Sequence, residues 1–472
     1  MDWQSTFVRP SVPLIPGWIQ LSALDQLENR FIVPAVLIFH VSSPALRQPL
    51  LQDLKAGLAD TIGNISFLAA NVVPDCGEKD TIQLEIPDDA GVWFYSQEVP
   101  EIDYYELERR KFPPSALPLL SLMPEPRVHH SERSPVLTVL ATFITGGLLL
   151  TLNNHHSVMD GAGMANLTKV LGKHVAARSE GRFLSSENAF PDEALDRSSI
   201  FGSGRKQVCD FSNYRLSKTY RCAVERELID AAIAGDHPKR QTLQKLQFSH
   251  WFISDESMRT LREATLPQSK GQPVLTDNTI MCAALWRHIS RARQLSSRGI
   301  VTNSFVNTIN VRRRMDPPLP LEYLGNAVVH AKTTAATADV ESSETGMLYK
   351  LAKQITDAIE WWTSERIWEL IGAIESSRIV SKIEPNMDNF QGPDLEVTST
   401  ADMGNISLVD WGCELGRLKA LRYAYVPVKD GWVNVLPQRK DAGIELLVGL
   451  EKSTIQHLRQ DKEWLHLAQE FL

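Results

Sequence analysis

Apolar positions along this chain follow two periods, and the period changes often. FIVPAVLIFHV (31–41) is a nearly unbroken apolar, β-branched run and reads as a buried strand, whereas Leu46, Leu50, Leu54 and Leu58 recur at helical spacing over 45–60. Ahead of both, LSALDQLENR reads as a short helix capped by Ser22. Strand and turn signals continue to about residue 130, WFYSQEV among them. A helix follows from about Asp160 to Arg178, with Met164, Leu167, Val170, Leu171 and Val175 on one face. The periodicity then stops. Residues from about Glu180 to Lys206 are rich in Ser, Gly and charge and read as a crossover between domains. The second half opens with a strand at FSHWFIS (247–253) and a helix from Thr276-Asp277. A strand through VNTINVRRR (306–314), a Pro-rich loop and two helices across 344–382 come next. Strands return at 432–436 and 443–450, and a last amphipathic helix starts near Ser453. Mixed elements over two halves predict an α/β (α+β) protein of two similar-sized lobes. Their bounds are set at 1–180 and 216–472, with a linker over 181–215.

One run competes with a membrane reading. Ser134 to Leu152 is 19 residues without a charge. Pro135, the central Gly146-Gly147 pair and the β-branched Val136, Thr138, Val139, Thr142 and Ile144 favour two buried strands joined by a tight turn. Composition narrows the field further. The 472 residues carry 49 Lys and Arg against 57 Asp and Glu, a net charge of −8, which gives no chain-wide attraction for nucleic acid or an anionic membrane. Five scattered cysteines without a CxxC pair fit a reducing compartment better than a disulfide framework. The first residues lack the apolar core of a signal peptide, so a cytoplasmic protein is expected.

The sharpest local feature is Asn154-His155-His156-Ser157-Val158-Met159-Asp160-Gly161, between a predicted strand and a predicted helix. A strand end delivers an imidazole to a loop, where it can act as a base at neutral pH. Gly161 allows an unusual backbone angle as the helix begins, and Asp160 suits a helix start, where it would fix the loop or orient the histidine. Spacing alone also allows a satisfied polar turn. A metal is not expected, since HExxH spacing and a Cys/His cluster are both missing.

HHSVMDG resembles the HxxxDG signature of the BAHD acyltransferases, in the fungal branch that includes trichothecene acetyltransferases. Supporting segments fall in family order along nearly the whole chain. TFITGGLLLTLNNHHSVMDG is similar to the family's hairpin leading to the histidine. NVRRRMDPPLPLEYLGNAV is similar to its N-x-R, Pro-rich and Gly-Asn segment. The helix DNTIMCAALWRHISRAR and the closing VLPQRKDAGIELLVGLEKSTIQHL also fit. Asp410-Trp411-Gly412, followed by Glu414-Leu415-Gly416, resembles the second signature, DFGWG. Trp411 stands for its phenylalanine and Cys413 for its tryptophan, and Thr398-Ser399-Thr400 lacks the tryptophan that often precedes it.

The resemblance implies two chloramphenicol-acetyltransferase-like lobes with a channel between them. It also implies transfer of an acyl group, acetyl above all, from acyl-coenzyme A as co-substrate to a small-molecule hydroxyl or amine. By the same resemblance His156, not His155, is the general base, Asp160 pairs with Arg312 to lock its loop, and Asp410, Trp411 and Gly412 serve the fold. Taken by itself, Arg312 reads as a solvated charge in an RRR run. Thr276, at a helix start, is a candidate for the coenzyme's phosphates and equally a plain N-cap. No tightly bound cofactor, metal, nucleic acid or membrane partner is expected, and the protein is expected to be a monomer. The rival readings are a condensation-type enzyme, which shares HHxxxDG but takes acyl groups from carrier proteins, and a family member redirected to chemistry other than acyl transfer.

Overall fold

The structure is a computed structural model, which describes residues 3–75, 77, 79–117, 119–122, 133–184, 190–202, 212–217, 244–267, 271–388, 392–412, 414–424, 429–437 and 443–471. Cys76, Cys209, Cys222, Cys413 and parts of the 181–215 linker lie outside them.

Among the described residues, one sheet has six strands in the order Gln4–Val8, Val92–Asp103, Leu137–Thr145, Gly147–His155, Ile32–His40 and Ala420–Tyr423. The uncharged run is its centre. Leu137–Thr145 and Gly147–His155 pair antiparallel through a tight turn, with Ile144 opposite Gly147. Both strands are buried almost throughout, because helices or loops cover both faces; that is why the run shows no alternation. The helices Arg47–Asn64 and Gly161–Ser179 lie together on one face, where Leu54, Leu58, Leu167 and Leu171 join Leu148 and Leu150 in one core. No described helix is long and apolar enough to cross a membrane.

A second sheet has seven described strands, in the order Val328–Ala336, Thr302–Asn310, Leu395–Ser399, Trp432–Val435, Ile444–Glu451, Leu246–Ile253 and Ala468–Phe471. The helices Asp277–Ala292 and Met347–Glu360 cover one of its faces, burying Trp286, Phe305 and Leu351. From the other face Leu436 and Leu447 join the core of the first sheet. The lobes are also stitched by chain exchange. Ala420–Tyr423, from the second half, forms an edge strand of the first sheet against Ile32–His40. Conversely, Ala23, Leu24 and Leu27 of the short helix Ala23–Leu27 sink into a core built mostly by the second half, with Ile309, Tyr323 and Trp362.

Two elements differ from the sequence reading. The strand expected over 306–314 runs from Thr302 to Asn310 and stops before the arginines. There the chain turns, with Arg314 N–H donating to the Val311 carbonyl at 2.8 Å, so that Arg312 is buried while Arg313 faces solvent. The terminal amphipathic pattern divides into Lys452–Leu458 and Lys462–Leu467, and the last residues form the edge strand Ala468–Phe471.

Candidate active site

Two adjacent histidines part company at the end of a strand. His155 is the last residue of Gly147–His155, paired with Ile32, and its ring is buried. His156 begins the loop, and its side chain keeps 24% of its surface exposed. Its backbone is held at both ends of the residue: its N–H donates to the Phe31 carbonyl at 2.9 Å, and its carbonyl accepts from Asn326 Nδ2 at 3.0 Å. The ring lies edge-on to Phe31, with centroids 5.5 Å apart. Nδ1 is enclosed and faces Glu28 Oε2 at 3.7 Å, so the ring's other nitrogen, Nε2, is the one left for a substrate proton. A neutral imidazole protonated at Nδ1 presents Nε2 as an acceptor.

Asp160 caps the helix Gly161–Ser179, accepting from Gly163 N–H at 2.9 Å. Arg312 grips the same carboxylate with both terminal nitrogens, at 2.8 and 2.9 Å, and Ala327 N–H adds a bond at 2.9 Å. The guanidinium, 1% exposed, also donates to the Tyr323 and Gly325 carbonyls. Such a buried bidentate pair is satisfied on both sides, and its four acceptor bonds leave Asp160 no oxygen to orient His156. Asp160 therefore fixes the loop. The solvated reading of Arg312 fails because the turn after Asn310 folds this one arginine inward. Gly163 has no room for a side chain: a Cβ there would strike the Leu324 carbonyl oxygen, so the helix and the 323–327 loop meet at backbone distance. Gly161 has an ordinary helical backbone rather than an unusual angle. A Cβ on it would lie 3.4 Å from Met403 Cε, a close but tolerable contact.

A second buried pair lies beside the first, and the sequence did not point to it. Arg197 Nη1 donates to Asp25 Oδ2 at 2.6 Å, and its Nη2 donates to the Val158 carbonyl at 2.9 Å. Burial opposes the Arg197 charge, but Asp25 beside it overcomes that and the guanidinium pKa is raised. Asp25 also accepts from Ser22 N–H and Oγ and from Asn326 N–H and Nδ2. Asn326 thus ties Asp25 to the carbonyl of His156. Asp25 had a visible local role, since Ser22 and Asp25 form a capping box, but nothing in that pattern reveals its partner from the linker.

The other candidates lie elsewhere. Trp411 is buried edge-on to Phe39 at 5.1 Å, and Gly412 turns with a φ of +100° under a Trp411 N–H to Gly416 carbonyl bond of 2.8 Å. Asp410 accepts from Gly412 N–H at 3.0 Å. This turn packs on the far half of the helix Gly161–Ser179, where Trp411 closes over Gly172. Thr276 is the N-cap of Asp277–Ala292, accepting from Thr279 N–H at 3.3 Å. Asp277 beside it is chelated by Arg262 at 2.6 Å through each oxygen. A carboxylate already occupies the field of that helix end, which favours the capping role. No cluster that could hold a metal occurs among the described residues.

The sequence profile of the transferase family matches residues 3–465, and the chain belongs to this family of BAHD acyltransferases. An acyltransferase, easC, of Emericella nidulans is 28% identical over 97% of this chain and 96% of its own. The trichothecene 8-O-acetyltransferase of Fusarium sporotrichioides is 26% identical over 93% and 96%. The crystal structure of F. graminearum TRI101 complexed with coenzyme A and T-2 mycotoxin superimposes with a TM-score of 0.80 at 16% identity, covering 97% of this chain and all of that one, and so shares its fold.

Proposed function

We propose that the chain is a coenzyme A-dependent acyltransferase that acetylates a hydroxyl of a small secondary metabolite, with His156 as general base. The observation that carries this reading is the part-exposed side chain of His156, with Nδ1 enclosed, on a loop tied down by buried ion pairs. Family membership and the acyltransferase relatives support the reaction class. An alcohol is a poor nucleophile at neutral pH. Nε2 takes its proton as the oxygen attacks the thioester carbonyl. The tetrahedral intermediate collapses with loss of the coenzyme thiolate, and the imidazolium returns the proton to that sulfur. The thioester is activated already, so no covalent enzyme intermediate is needed, and holding both substrates together supplies much of the rest. Asp160, Gly161 and Arg312 support the loop, and Asp410, Trp411 and Gly412 support the helix behind it.

The reading includes a channel between the lobes that admits donor and acceptor, and a monomer working in the cytoplasm. Cys282, a buried free thiol whose pKa burial pushes up to about 12, fits a reducing compartment. The test is titration calorimetry with coenzyme A, followed by acetyl transfer from acetyl-coenzyme A to a panel of polyketide and terpenoid alcohols without carrier protein. Binding is expected, and His156→Ala should fold and bind coenzyme A yet lose turnover by about 10²–10⁴-fold. Absence of binding at millimolar coenzyme A removes the donor, and full turnover in the variant removes His156 from the chemistry.

A further inference from the structure

Of the acids around the HHSVMDG loop, Asp25 and Asp160 are closed off in pairs with Arg197 and Arg312. Glu28 is different. Its side chain is 7% exposed, and Oε2 stands 3.7 Å from His156 Nδ1. The segment bearing it is sewn to the catalytic loop at three points. Ser157 Oγ reaches the Glu28 and Asn29 carbonyls at 3.4 and 3.2 Å, and His156 N–H reaches the Phe31 carbonyl. The helix just before it, Ala23–Leu27, is anchored in the core of the second half. The carboxylate is therefore held toward the ring by the fold rather than by a flexible surface chain.

We propose that Glu28 is a positioning residue for His156. Its carboxylate holds the imidazole proton on Nδ1, which keeps Nε2 free to accept, and it balances the imidazolium formed when Nε2 takes the substrate proton. The separation of 3.7 Å is beyond a hydrogen bond, and a small tilt of the ring closes it once the ring becomes cationic, the usual tightening between a resting and a reacting site. A buried carboxylate behind the base serves this purpose in the Ser-His-Asp hydrolases. His155 takes no part, its ring lying at the strand end on the buried side.

The inference rests on the proposed role of His156, so its test has a readout that needs no turnover. Long-range nitrogen–proton spectra of protein labelled with ¹⁵N-histidine report the tautomer directly. The parent should show His156 protonated at Nδ1. Glu28→Leu, which removes the acceptor at similar volume, should shift the ring toward the Nε2-protonated form. With acetyl-coenzyme A and an acceptor found in the panel, the same variant should lose kcat by about 10²-fold with KM within twofold. Glu28→Gln keeps an oxygen but loses the charge and should fall between. It is also the variant to read if Glu28→Leu does not fold. An unchanged tautomer in either folded variant, or kcat within twofold of the parent, overturns the proposal, as does a lower melting temperature with both readouts intact. If His156→Ala keeps full turnover, the proposed base fails instead, and the tautomer spectra still decide whether Glu28 governs the ring.

Discussion

At its N-terminal end the helix Gly161–Ser179 is held by charge brought from a distance; at its C-terminal end it is held by its neighbour helix Arg47–Asn64 and by one packed turn from the second half. The first end gathers Asp160, Arg312 from the turn after the strand Thr302–Asn310, Asp25 from the start of the chain and Arg197 from the linker, all buried. At the other end Arg178, 32% exposed, pairs with Asp60 of the helix Arg47–Asn64, and His174 Nε2 meets Asn64 Nδ2 at 2.8 Å. Trp411 and the Gly412 turn pack against that half. The contrast separates two tasks. The loop bearing His156 is held by residues from both halves and from the stretch between them. The far end needs the first sheet, its helices and one turn from the second half, and its geometry sets no reacting atom.

Breaking the charged end should have the largest effect. Asp160→Asn keeps a cap of the same shape but leaves the Arg312 guanidinium buried without its counter-ion, and should cost about 3–5 kcal/mol of unfolding free energy. Urea denaturation and turnover should both register it, and an unchanged transition with full activity would contradict the lock. Arg197→Met removes the neighbouring cation, but Asp25 retains the donors of Ser22 and Asn326. Its cost should be smaller, about 2–3 kcal/mol in the same experiment. Because the two pairs support one loop, the double variant should depart from additivity by more than about 0.5 kcal/mol. Strict additivity would mean that the pairs act independently.

At the far end, Gly412→Ala forces a side chain into a backbone angle of +100° and against Ser179 Oγ. It should cost about 1–3 kcal/mol while kcat stays within twofold. A large loss of kcat in folded protein would move the DWG turn from support into the site.

The same contrast shows what could be read from the chain. The strand, the turn, the second histidine and Asp160 are contiguous, so local pattern exposed them, and the strand pair 137–155 was visible from its uncharged, β-branched run. Arg312 needed the resemblance, because an RRR run gives no sign of which arginine the turn buries. Arg197, Asp25 and Glu28 were not legible as site residues. Arg197 lies in a stretch with no periodicity, and its partner is 172 positions away. Asp25 and Glu28 looked like polar residues of a short capped helix. What brings them beside the His156 loop is that Ala23, Leu24 and Leu27 insert into the core of the other half, a tertiary choice that the local pattern does not encode.

The smallest effect should come from protonation at the far end. His174 is buried, and desolvation lowers its pKa below the ordinary value of 6.5, with the nearby Asp60 opposing that shift. The unfolded chain therefore binds a proton at this residue more readily than the folded one. The stabilisation is complete above about pH 6.5 and declines as pH falls from there toward the folded-state pKa. As the ring charges, Nε2 can no longer accept from Asn64. Melting temperatures measured from pH 8 to pH 5 should fall on the acid side, and His174→Gln should flatten part of that fall while leaving kcat near the parent value. If the variant and the parent lose stability in parallel below pH 6.5, the acid sensitivity belongs to another group, and the far end is held by packing and the Asp60–Arg178 pair alone.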